Sequence, residues 1–454
     1  MTVTINGDTG ISGVNGSAGN PAIKGGDADT GIHFGADSAA IATGGTDKVS
    51  IDSSGDATFS GTVKTSKVEN ANTSNGGVEI DAAGHVQVDG LQMPSAGSPG
   101  FRNLFDNGAM AIKQRTEANR TTDGILIDRF QTGTNGGTQT TTRESLTSAD
   151  TPYSEGFRYA LRLTNTAAVT NTAANYRFLM QQIESVNMFK SGWNYNSSTS
   201  YVTISFWVRA SVAQEYFAYF VDNIEDRRHY NFSLGNLAAN TWTRVVHQIP
   251  GDAGLSFAHN TGAGFSLIVS PFWGTNFTDS SVTPGTWQAY NGNLRTPDYT
   301  TTWATTAGAT FDFTALQMEV GDTRTPFEHL PEGVELDRCR RYLYVIDAPS
   351  NFSRFGVGLS NGTGEAQAIV HFPVTMRAAP SAIEAVAANL YQASQGNLGV
   401  AGTGISLTGN VASPNTACVS LAVAAGSLVS HAIYYVEANG NEAGAKYLRF
   451  LAEI

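Results

Sequence analysis

The strongest constraint on the fold is a series of short runs in which apolar and polar residues alternate. A period of two places successive side chains on opposite faces of a β-strand. Loops rich in Asn, Gly and Thr separate the runs, and no long helical pattern interrupts them. Between residues 101 and 330 the runs are Tyr201–Val208, Glu215–Val221, Trp242–Ile249, Phe265–Val269 and Thr310–Met318. This spacing predicts an all-β chain that contains a jelly roll or β-sandwich.

The length and composition of the chain indicate several regions. Its 454 residues are too many for one ordinary domain. All six tryptophans lie between positions 193 and 303, and two prolines with two glycines at 93–100 indicate a linker. Four regions are predicted: a β-rich stalk at 1–100, a Trp-rich jelly roll at 101–330, a short linking helix at 331–342, and a C-terminal β-sandwich knob at 343–454.

A repeat occurs within the first hundred residues. Val49–Gly61 and Val78–Gly90 both read apolar-x-apolar-Asp-x-x-Gly-x-apolar-x-apolar, at an offset of 29 residues. Alternation on both sides of a turn that contains Gly predicts a hairpin with one apolar face. Two unrelated hairpins could share such a turn, but the coincident Asp and Gly positions favour a repeat.

The first hundred residues carry little material for a core of their own. They contain no Trp, Tyr or Cys, and their two aromatic residues are Phe34 and Phe59. Four Lys against eleven acidic residues give them a net charge of −7. Because an isolated hairpin is marginally stable, its apolar face needs a cover, most simply the same face of neighbouring chains. The sequence therefore predicts a homo-oligomer.

The best helix candidate is Glu332–Tyr342. Val334, Leu336 and Cys339 recur at roughly helical spacing, and arginines occupy the last turn, where the helix dipole favours positive charge. Short alternating runs then resume, and the chain ends in the alternation of Tyr447–Ile454. Such an ending predicts a final strand that belongs to a sheet.

Charge and composition argue against several classes of protein. The formal net charge of −12 disfavours a nucleic-acid binder, which needs a basic stripe to neutralise phosphates. No apolar run approaches the length of a membrane span, so membrane insertion is not expected. The N-terminus lacks the features of a signal peptide. For Cys339 and Cys418, a disulfide is one alternative, and a reducing site of synthesis favours free thiols. No histidine pair has metal-ligand spacing, so neither a metal site nor a cofactor is predicted.

Six segments resemble, in order, the conserved segments of a domain family found in many bacteriophage tail fibres. One opens the second region with an Asn-x-x-x-Asn-Gly-Ala-Met pattern, and another matches the helix that follows the jelly roll, although Arg340–Leu343 departs from the usual ending. The first hundred residues are also similar to the stalks of phages that infect cyanobacteria. The segments are Phe101–Met110, Ile204–Ala210, Asn240–Arg244, Phe313–His329, Glu335–Tyr342 and Phe372–Pro380.

The resemblance implies a homotrimeric virion tail fibre, made in the host cytoplasm. It implies a jelly roll like a carbohydrate-binding module, and a terminal knob that meets the host surface polysaccharide. Residues 1–100, and within them 1–30, would dock to phage tail or baseplate proteins. The family supplies no catalytic residues, so no enzyme activity is expected. The alternatives are a polysaccharide depolymerase fibre and a purely structural tail or baseplate component.

The expected sugar site lies in the stretch 272–303. Sugar recognition uses flat aromatic faces against the sugar ring and planar polar groups for the hydroxyls, and loops on a rigid sandwich commonly carry binding residues. The candidate ligand-binding residues are Trp273, Trp287, Tyr290, Asn293, Arg295, Tyr299 and Trp303. Loop packing or a trimer interface would explain the same tryptophans. Trp207 and Trp242 lie within alternating runs and are predicted to be core, and Trp193–Tyr195 is a smaller candidate.

Five carboxylates cluster around the predicted helix start: Glu319, Asp322, Glu328, Glu332 and Glu335. A glycosidase needs two carboxyl groups that face one cleft, and clustering along the sequence does not imply that arrangement. The positive end of the helix dipole explains acidic residues at this position.

Overall fold

The computed structural model describes residues 4–6, 10–12, 15–64, 67–69, 77–80, 86–88, 91–92, 102–169, 173–223, 227–300, 302–396, 398–408 and 411–454. The linker predicted at 93–100 lies outside these described residues. The chain forms two compact units, residues 1–93 and 94–454. Strands dominate both units, which confirms the predicted all-β class.

The first unit consists of small antiparallel sheets. Strands β5 to β9 form a five-stranded meander, β10 to β13 form a four-stranded one, and β1–β2 and β3–β4 pair separately. Its strands are β1 Thr4–Asn6, β2 Gly10–Ser12, β3 Gly16–Ser17, β4 Asn20–Pro21, β5 Ile23–Lys24, β6 Gly31–Gly35, β7 Ser38–Thr43, β8 Thr46–Ile51, β9 Ala57–Phe59, β10 Lys67–Glu69, β11 Gly77–Ile80, β12 Val86–Val88 and β13 Leu91–Gln92.

Both copies of the repeat pair as hairpins in the same register. In the first copy Gly55 takes the left-handed conformation that the turn needs, with φ of 85°. Residues 81–85 and 89–90 of the second copy lie outside the described part. The cross-strand pairs are Val49–Phe59 and Ile51–Ala57 in the first copy, and Val78–Val88 and Ile80–Val86 in the second. Equivalent positions therefore face each other, as the repeat predicts.

One face of the five-stranded sheet carries an uncovered apolar row. Ile23, Ile32, Ile41, Val49 and Phe59 lie directly opposite one another on successive strands. The four of them that are exposed have 36% to 50% of their surface accessible. On β7 the small side chains of Ala40 and Ala42 are buried, whereas Ile41 between them is exposed. The predicted apolar face is thus present and has no cover within the described part of the chain.

The second unit begins with two sheets packed face to face. The six-stranded sheet has the order β14-β17-β18-β26-β20-β23, and the seven-stranded sheet has the order β15-β16-β19-β24-β21-β22-β25. The elements are β14 Asn119–Arg120, β15 Gly124–Ile125, β16 Gln131–Asn135, β17 Gln139–Ser145, a 3₁₀ helix Thr151–Glu155, β18 Tyr159–Asn165, β19 Tyr176–Glu184, α1 Ser185–Phe189, β20 Tyr201–Ala210, β21 Gln214–Asp222, β22 Arg228–Leu237, β23 Thr243–Pro250, β24 Ala263–Trp273, β25 Trp287–Ala289, α2 Thr302–Thr305 and β26 Ala309–Val320.

The core between these sheets is aromatic. Phe220 of one sheet stacks on Phe265 of the same sheet, with ring centroids 4.6 Å apart. Phe206 and Phe313 of the other sheet lie 5.0 Å apart. All four side chains are buried. Along each strand, the residues that face the core occupy alternate positions. The predicted jelly-roll or sandwich layer is confirmed.

The chain continues through helix α3 into a barrel. The barrel order is β28-β29-β33-β32-β31-β34, closed on itself, and β27-β35-β30 form a separate three-stranded sheet. The elements are α3 Glu332–Arg340, β27 Leu343–Asp347, β28 Arg354–Ser360, β29 Glu365–His371, β30 Ala382–Ala385, a 3₁₀ helix Ala388–Leu390, β31 Tyr391–Gln395, β32 Leu398–Leu407, β33 Thr416–Val423, β34 Ile433–Ala438 and β35 Tyr447–Leu451. The structure differs from the predicted C-terminal sandwich in that these six strands close into a barrel. Alternation in the sequence determines which face of the sheet each side chain occupies, but it does not determine whether the two edge strands pair.

Helix α3 lies where the sequence predicts it, but polar contacts hold it. Val334 is exposed and Cys339 is buried. The Arg338 guanidinium donates to Asp106 at 2.7 Å, and the Glu335 carboxylate accepts the backbone N–H of Asn107. The helix is therefore attached mainly through charged groups to the segment 102–112.

That segment, which contains the Asn-Gly motif, is tied to β26 by hydrogen bonds and close backbone packing. Asn103 donates to the carbonyl of Leu316 at 2.9 Å and accepts the N–H of Met318 at 3.0 Å. Gly108 accepts the N–H of Leu316 at 3.0 Å. β26 bulges at this point, and Ala315 adopts a φ of 62°.

A buried ionic cluster joins the sandwich, the helix and the C-terminal segment. Arg129 donates to Glu453 at 2.6 Å and to Asp106 at 3.3 Å. Its guanidinium lies 3.3 Å from the ring centre of Tyr342 and also donates to the carbonyl of Gln182 at 2.6 Å. Burial raises the pKa of the Glu453 carboxyl, and the Arg129 charge opposes that rise. This buried ionic cluster consists of Arg129, Asp106, Arg338, Tyr342 and Glu453.

Further polar contacts cross between the sandwich side and the barrel side of this unit. They are Arg449 with Glu117 at 2.6 Å, Arg115 with Glu384 at 3.3 Å, Arg341 with Glu184 at 2.5 Å, and Arg377 with the carbonyl of Thr261 at 2.9 Å. The two cysteines are free, Cys339 in the interior and Cys418 half-buried.

Candidate functional site

A groove lies on the outer face of the seven-stranded sheet. Strand residues that face the core alternate with those that form its floor: Phe220 packs into the core, whereas Tyr219 and Val221 face the other way. The groove encloses a cavity of 280 Å³. It is called the outer-face groove, and it is lined by Phe178, Met180, Gln182, Tyr219, Val221, Asn223, Arg227, Ser266, Ile268, Trp273, Tyr290 and Arg295.

The strands under the groove are apolar on both faces, which is what gives it an apolar floor. In β21 the run from Tyr216 to Val221 contains no polar position, so one set of side chains fills the core and the other lines the groove. Gly133 on the neighbouring β16 lies opposite Phe178. A Cβ atom at Gly133 would come within 2.3 Å of the Phe178 ring, so the glycine leaves room for that ring to lie across the sheet.

The aromatic wall of the groove is built around Trp273. Its ring stacks with Phe178, with centroids 5.6 Å apart and planes 19° apart. Phe277 packs against the same indole at 5.1 Å, and the Arg295 guanidinium lies 4.5 Å from its ring centre. Together with Tyr176 at 5.3 Å and Tyr219 at 6.5 Å, these contacts bury the indole and hold it in one orientation.

The segment 274–300 folds over this end of the sheet and brings distant side chains to the rim. The N–H of Tyr290 donates to the carbonyl of Arg227 at 2.7 Å, and the N–H of Arg295 donates to the carbonyl of Phe277 at 2.9 Å. The Thr278 hydroxyl donates to Asp298 at 2.7 Å. Backbone hydrogen bonds thus place Tyr290 and Arg295 beside Trp273.

Polar groups in the groove lie near its far end. The Ser266 hydroxyl oxygen accepts from Gln182 at 3.1 Å and from Asn223 at 2.8 Å. The indole N–H of Trp273 is buried and has no acceptor among the described residues. Burial raises the pKa of the Tyr219 phenol, and the neighbouring Arg295 charge opposes that rise. The groove therefore offers donors and a neutral phenol beside its apolar faces.

Four of the seven predicted site residues come together on this face. Trp273, Tyr290 and Arg295 line the groove. Tyr299 belongs to the same outer-face aromatic cluster, but it supports the groove and does not line it. Its hydroxyl donates to the carbonyl of Ser270 at 2.9 Å, and burial raises its pKa.

The other three predicted residues lie elsewhere, and two of them make structural contacts. Trp303 is fully buried in the main core, and its indole donates to the carbonyl of Thr310 at 3.0 Å. Trp287 packs against the main core and donates to the carbonyl of Pro250 at 2.7 Å, so its N–H is already used. Asn293 is exposed and lies outside the groove lining.

The sequence analysis missed the floor of the groove, namely Phe178, Met180, Tyr219 and Ile268, and also Arg227 at its rim. These residues come from three strands and a loop that are far apart in the chain. A signal for the floor was present, because strands with apolar residues at consecutive positions must cover both faces. No comparable signal marks Arg227. Trp207 and Trp242 are buried, as the alternation predicts.

A second, larger cavity of 510 Å³ lies between helix α3 and the outer side of the six-stranded sheet. Three of the clustered carboxylates line it, but two are engaged by backbone groups: Glu328 accepts the N–H of Asn103 at 2.9 Å, and Glu335 accepts that of Asn107. Its aromatic face is also covered, because the Arg143 guanidinium lies 4.2 Å from the Tyr159 ring centre. The outer-face groove, with open aromatic edges, is the better candidate for a ligand.

A membrane-spanning helix and a metal site are both absent from the residues that the structure describes. Among those residues, no helix is both long and apolar enough to cross a bilayer. The same part of the chain holds no group of three His, Cys, Asp or Glu side chains placed to hold a metal ion.

No family model matches the chain, and no curated protein matches it. Among solved structures, it is similar to the enzymatically active domain of tailspike protein 4 of bacteriophage CBA120, at 9% identity and a TM-score of 0.25, over 48% of this chain and 22% of that one. A putative sugar binding protein from Bacteroides thetaiotaomicron matches at 13% identity and a TM-score of 0.25, over 48% of this chain and 100% of that one. A family 11 carbohydrate-binding module from Clostridium thermocellum matches at 10% identity and a TM-score of 0.22, over 46% and 99%.

Proposed function

We propose that this chain is a homotrimeric tail-fibre adhesin of a bacteriophage, which attaches the virion to a surface glycan of its host. The first unit is the stalk and docks to tail or baseplate proteins. The outer-face groove of the sandwich holds the glycan. Each site is weak by itself, and three chains in several fibres give tight attachment by avidity.

The observation that carries the proposal is the outer-face groove. Sugar rings present flat apolar faces of C–H groups, which pack on aromatic rings, while their hydroxyls need donors and acceptors. The groove supplies both, with the partly exposed rings of Phe178 and Tyr290 beside Gln182 and Asn223. The ordered resemblance of the sequence segments to phage tail fibres supports the virion setting.

The uncovered apolar row supports the oligomer. Four of the five large apolar side chains aligned across this small sheet would remain exposed to water in a single chain. Burying apolar surface contributes about 25 cal/mol per Å², so association of identical faces from neighbouring chains is favourable. The trimeric number comes from the family resemblance.

We propose binding without cleavage. Glycosidases use two carboxyl groups that flank the scissile bond, and the described lining of the groove contains no carboxylate. Of the clustered carboxylates near α3, Glu319, Glu328 and Glu335 accept structural hydrogen bonds from backbone N–H groups.

Tyr290→Ala is expected to weaken glycan and host-cell binding by about tenfold or more, because it removes an aromatic face at the rim of the groove. The measurement is binding of the full chain to a glycan array and to host cells, followed by affinity determination for the glycans that bind. Chain length of a bound polysaccharide is followed by gel filtration after long incubation and is expected to stay constant.

The matched control is Phe189→Ala, which removes an exposed aromatic ring from helix α1, outside the groove. Its affinity is expected to equal that of the unaltered protein. Equal binding by Tyr290→Ala and the unaltered protein, with both folded, would contradict the groove as the glycan site. Shortening of the polysaccharide would favour the depolymerase instead.

Light scattering of the full chain is expected to give three times the single-chain mass of 48.0 kDa. The double change Ile41→Asp and Phe59→Asp is expected to shift the protein toward the single-chain mass, because two charges would then lie within the apolar row and would be desolvated on association.

The control for the stalk is Thr58→Asp. Thr58 is exposed and lies on the same strand as Phe59 but faces the other side of the sheet, so the trimer should persist. A well-folded unaltered protein of 48.0 kDa would refute the trimer. A trimer that survives the double change would show that contacts other than the apolar row hold it.

A further inference from the structure

The described lining of the outer-face groove is positively charged, although the chain as a whole is acidic. Its described lining contains two arginines, Arg227 and Arg295, and no Asp or Glu, whereas the whole chain has a formal net charge of −12. A local concentration of one sign of charge within a concave site attracts ligands of the other sign. The groove thus differs in charge from the protein that surrounds it.

Arg295 is held rigidly at the wall of the groove. Its guanidinium lies 4.5 Å from the ring centre of Trp273 and 4.7 Å from that of Phe277. Its Nε donates to the carbonyl of Gly292 at 2.9 Å. Stacking on two rings, together with hydrogen bonds to the Gly292 carbonyl and the Tyr219 phenol, holds the planar fork of the guanidinium in one orientation, which suits recognition of an anion by its remaining donors.

Arg227 is exposed at the rim, with its guanidinium 5.9 Å from the ring centre of Tyr290. Within the described residues it makes no ion pair and no side-chain hydrogen bond. The nearby Asp222 carboxylate belongs to the opposite face of the sheet, where it is buried and accepts the N–H of Arg228 at 2.6 Å. The charge of Arg227 is therefore available to a ligand.

We infer that the groove takes an acidic glycan, in which a carboxylate or sulfate on a sugar ring is held by Arg227 and Arg295 while the ring packs on the partly exposed Tyr290. This inference rests on the proposed function, since it names the class of glycan for the same site. The cavity of 280 Å³ is close to the roughly 300 Å³ at which small-molecule sites begin, so one or two sugar units are the portion recognised.

The test compares charged and uncharged forms of the same polymer with the full-length protein. Polygalacturonate is paired with its methyl ester, and dextran sulfate is paired with dextran, so that the two pairs distinguish carboxylate from sulfate. At least one charged polymer is expected to bind about tenfold or more tightly than its uncharged partner, which corresponds to about 1.4 kcal/mol. That preference should decline as salt is added.

Arg227→Gln is expected to remove most of the preference for the charged polymers. The matched control is Arg354→Gln, an arginine in the barrel whose guanidinium lies 3.8 Å from the ring centre of Tyr435. It removes the same charge from the same kind of arginine–tyrosine contact, and with it a 3.7 Å ion pair to Glu437 in the barrel. Because both contacts lie outside the groove, polymer binding by this variant should be unaltered.

The inference is overturned if the uncharged polymers bind as tightly as the charged ones, or if Arg354→Gln reduces the preference as much as Arg227→Gln does. In the first case, loss of that binding in Tyr290→Ala would leave the proposed function standing. Absence of binding to all four polymers, together with absence of binding on the glycan array, overturns both.

Discussion

Arg129→Met is expected to lower the free energy of unfolding of the second unit by about 3–5 kcal/mol, because removing one partner of a buried charge pair leaves the other uncompensated. Arg129 is the cation that Glu453 contacts at 2.6 Å, and it also donates to a backbone carbonyl and packs on Tyr342. Met retains the length of the side chain and much of its contact with the ring, so the loss measures charge and hydrogen bonding.

Urea unfolding followed by tryptophan emission measures this loss in the sandwich, since all six tryptophans lie between positions 193 and 303. The control is Arg340→Met, which removes an arginine of helix α3 whose guanidinium pairs with Asp337 at 3.1 Å on the surface. Surface pairs contribute about 0–1 kcal/mol, so the control midpoint should hardly move. Equal midpoints for Arg129→Met and Arg340→Met would show that the buried ionic cluster does not stabilise the fold.

Gly108→Ala is expected to destabilise the same unit by about 3 kcal/mol, because overpacking against backbone atoms cannot be relieved by a rotamer change. A Cβ atom at this position would lie 2.0 Å from the carbonyl oxygen of Leu316. That contact lies beside the bulge in β26, where Gly108 also accepts the N–H of Leu316. The methyl group would push segment 102–112 away from the strand and break this bond.

Gly333→Ala is the matched control, since a Cβ atom there meets nothing within 4 Å. Gly333 lies in helix α3, where Ala is the better helix former by about 1 kcal/mol, so the urea midpoint should stay or rise. A Gly108→Ala protein that is as stable as the unaltered one would refute the close packing of the motif segment on β26.

Local patterns in the sequence predict most of the strands. Alternation locates the strands of the sandwich, and the repeat predicts even the pairing of Val49 with Phe59, because a hairpin is set by residues close in sequence. Closure of the C-terminal barrel could not be predicted, since it depends on pairing between β28 and β34, which are far apart in the chain. The helix was located correctly, but its apolar spacing was not the reason for its stability, because Val334 is exposed.

The candidate site could be predicted only in part. Trp273 and Trp303 have the same residue type and similar loop surroundings, yet one lines the groove and the other is in the main core. The segment that carries Trp273 places this side chain on the outer face of the seven-stranded sheet, whereas the segment that carries Trp303 places it between the two sheets. Packing between strands that are remote in the sequence decides which of these positions each side chain takes. For the same reason the floor residues Phe178 and Tyr219, which lie in β19 and β21, were not linked to the aromatic loop.

The contacts between the sandwich side and the barrel side bear on how mechanical force passes through the second unit. Domains in one chain usually move relative to each other unless their interface is substantial. Here Arg129, Arg341, Arg377 and Arg449 all cross between the two sides at separate points. A pull on the barrel would be shared among bonds that act in parallel, and bending at the junction would have to break several of them together. The sandwich and the barrel would therefore transmit tension as one stiff piece, without a hinge between them.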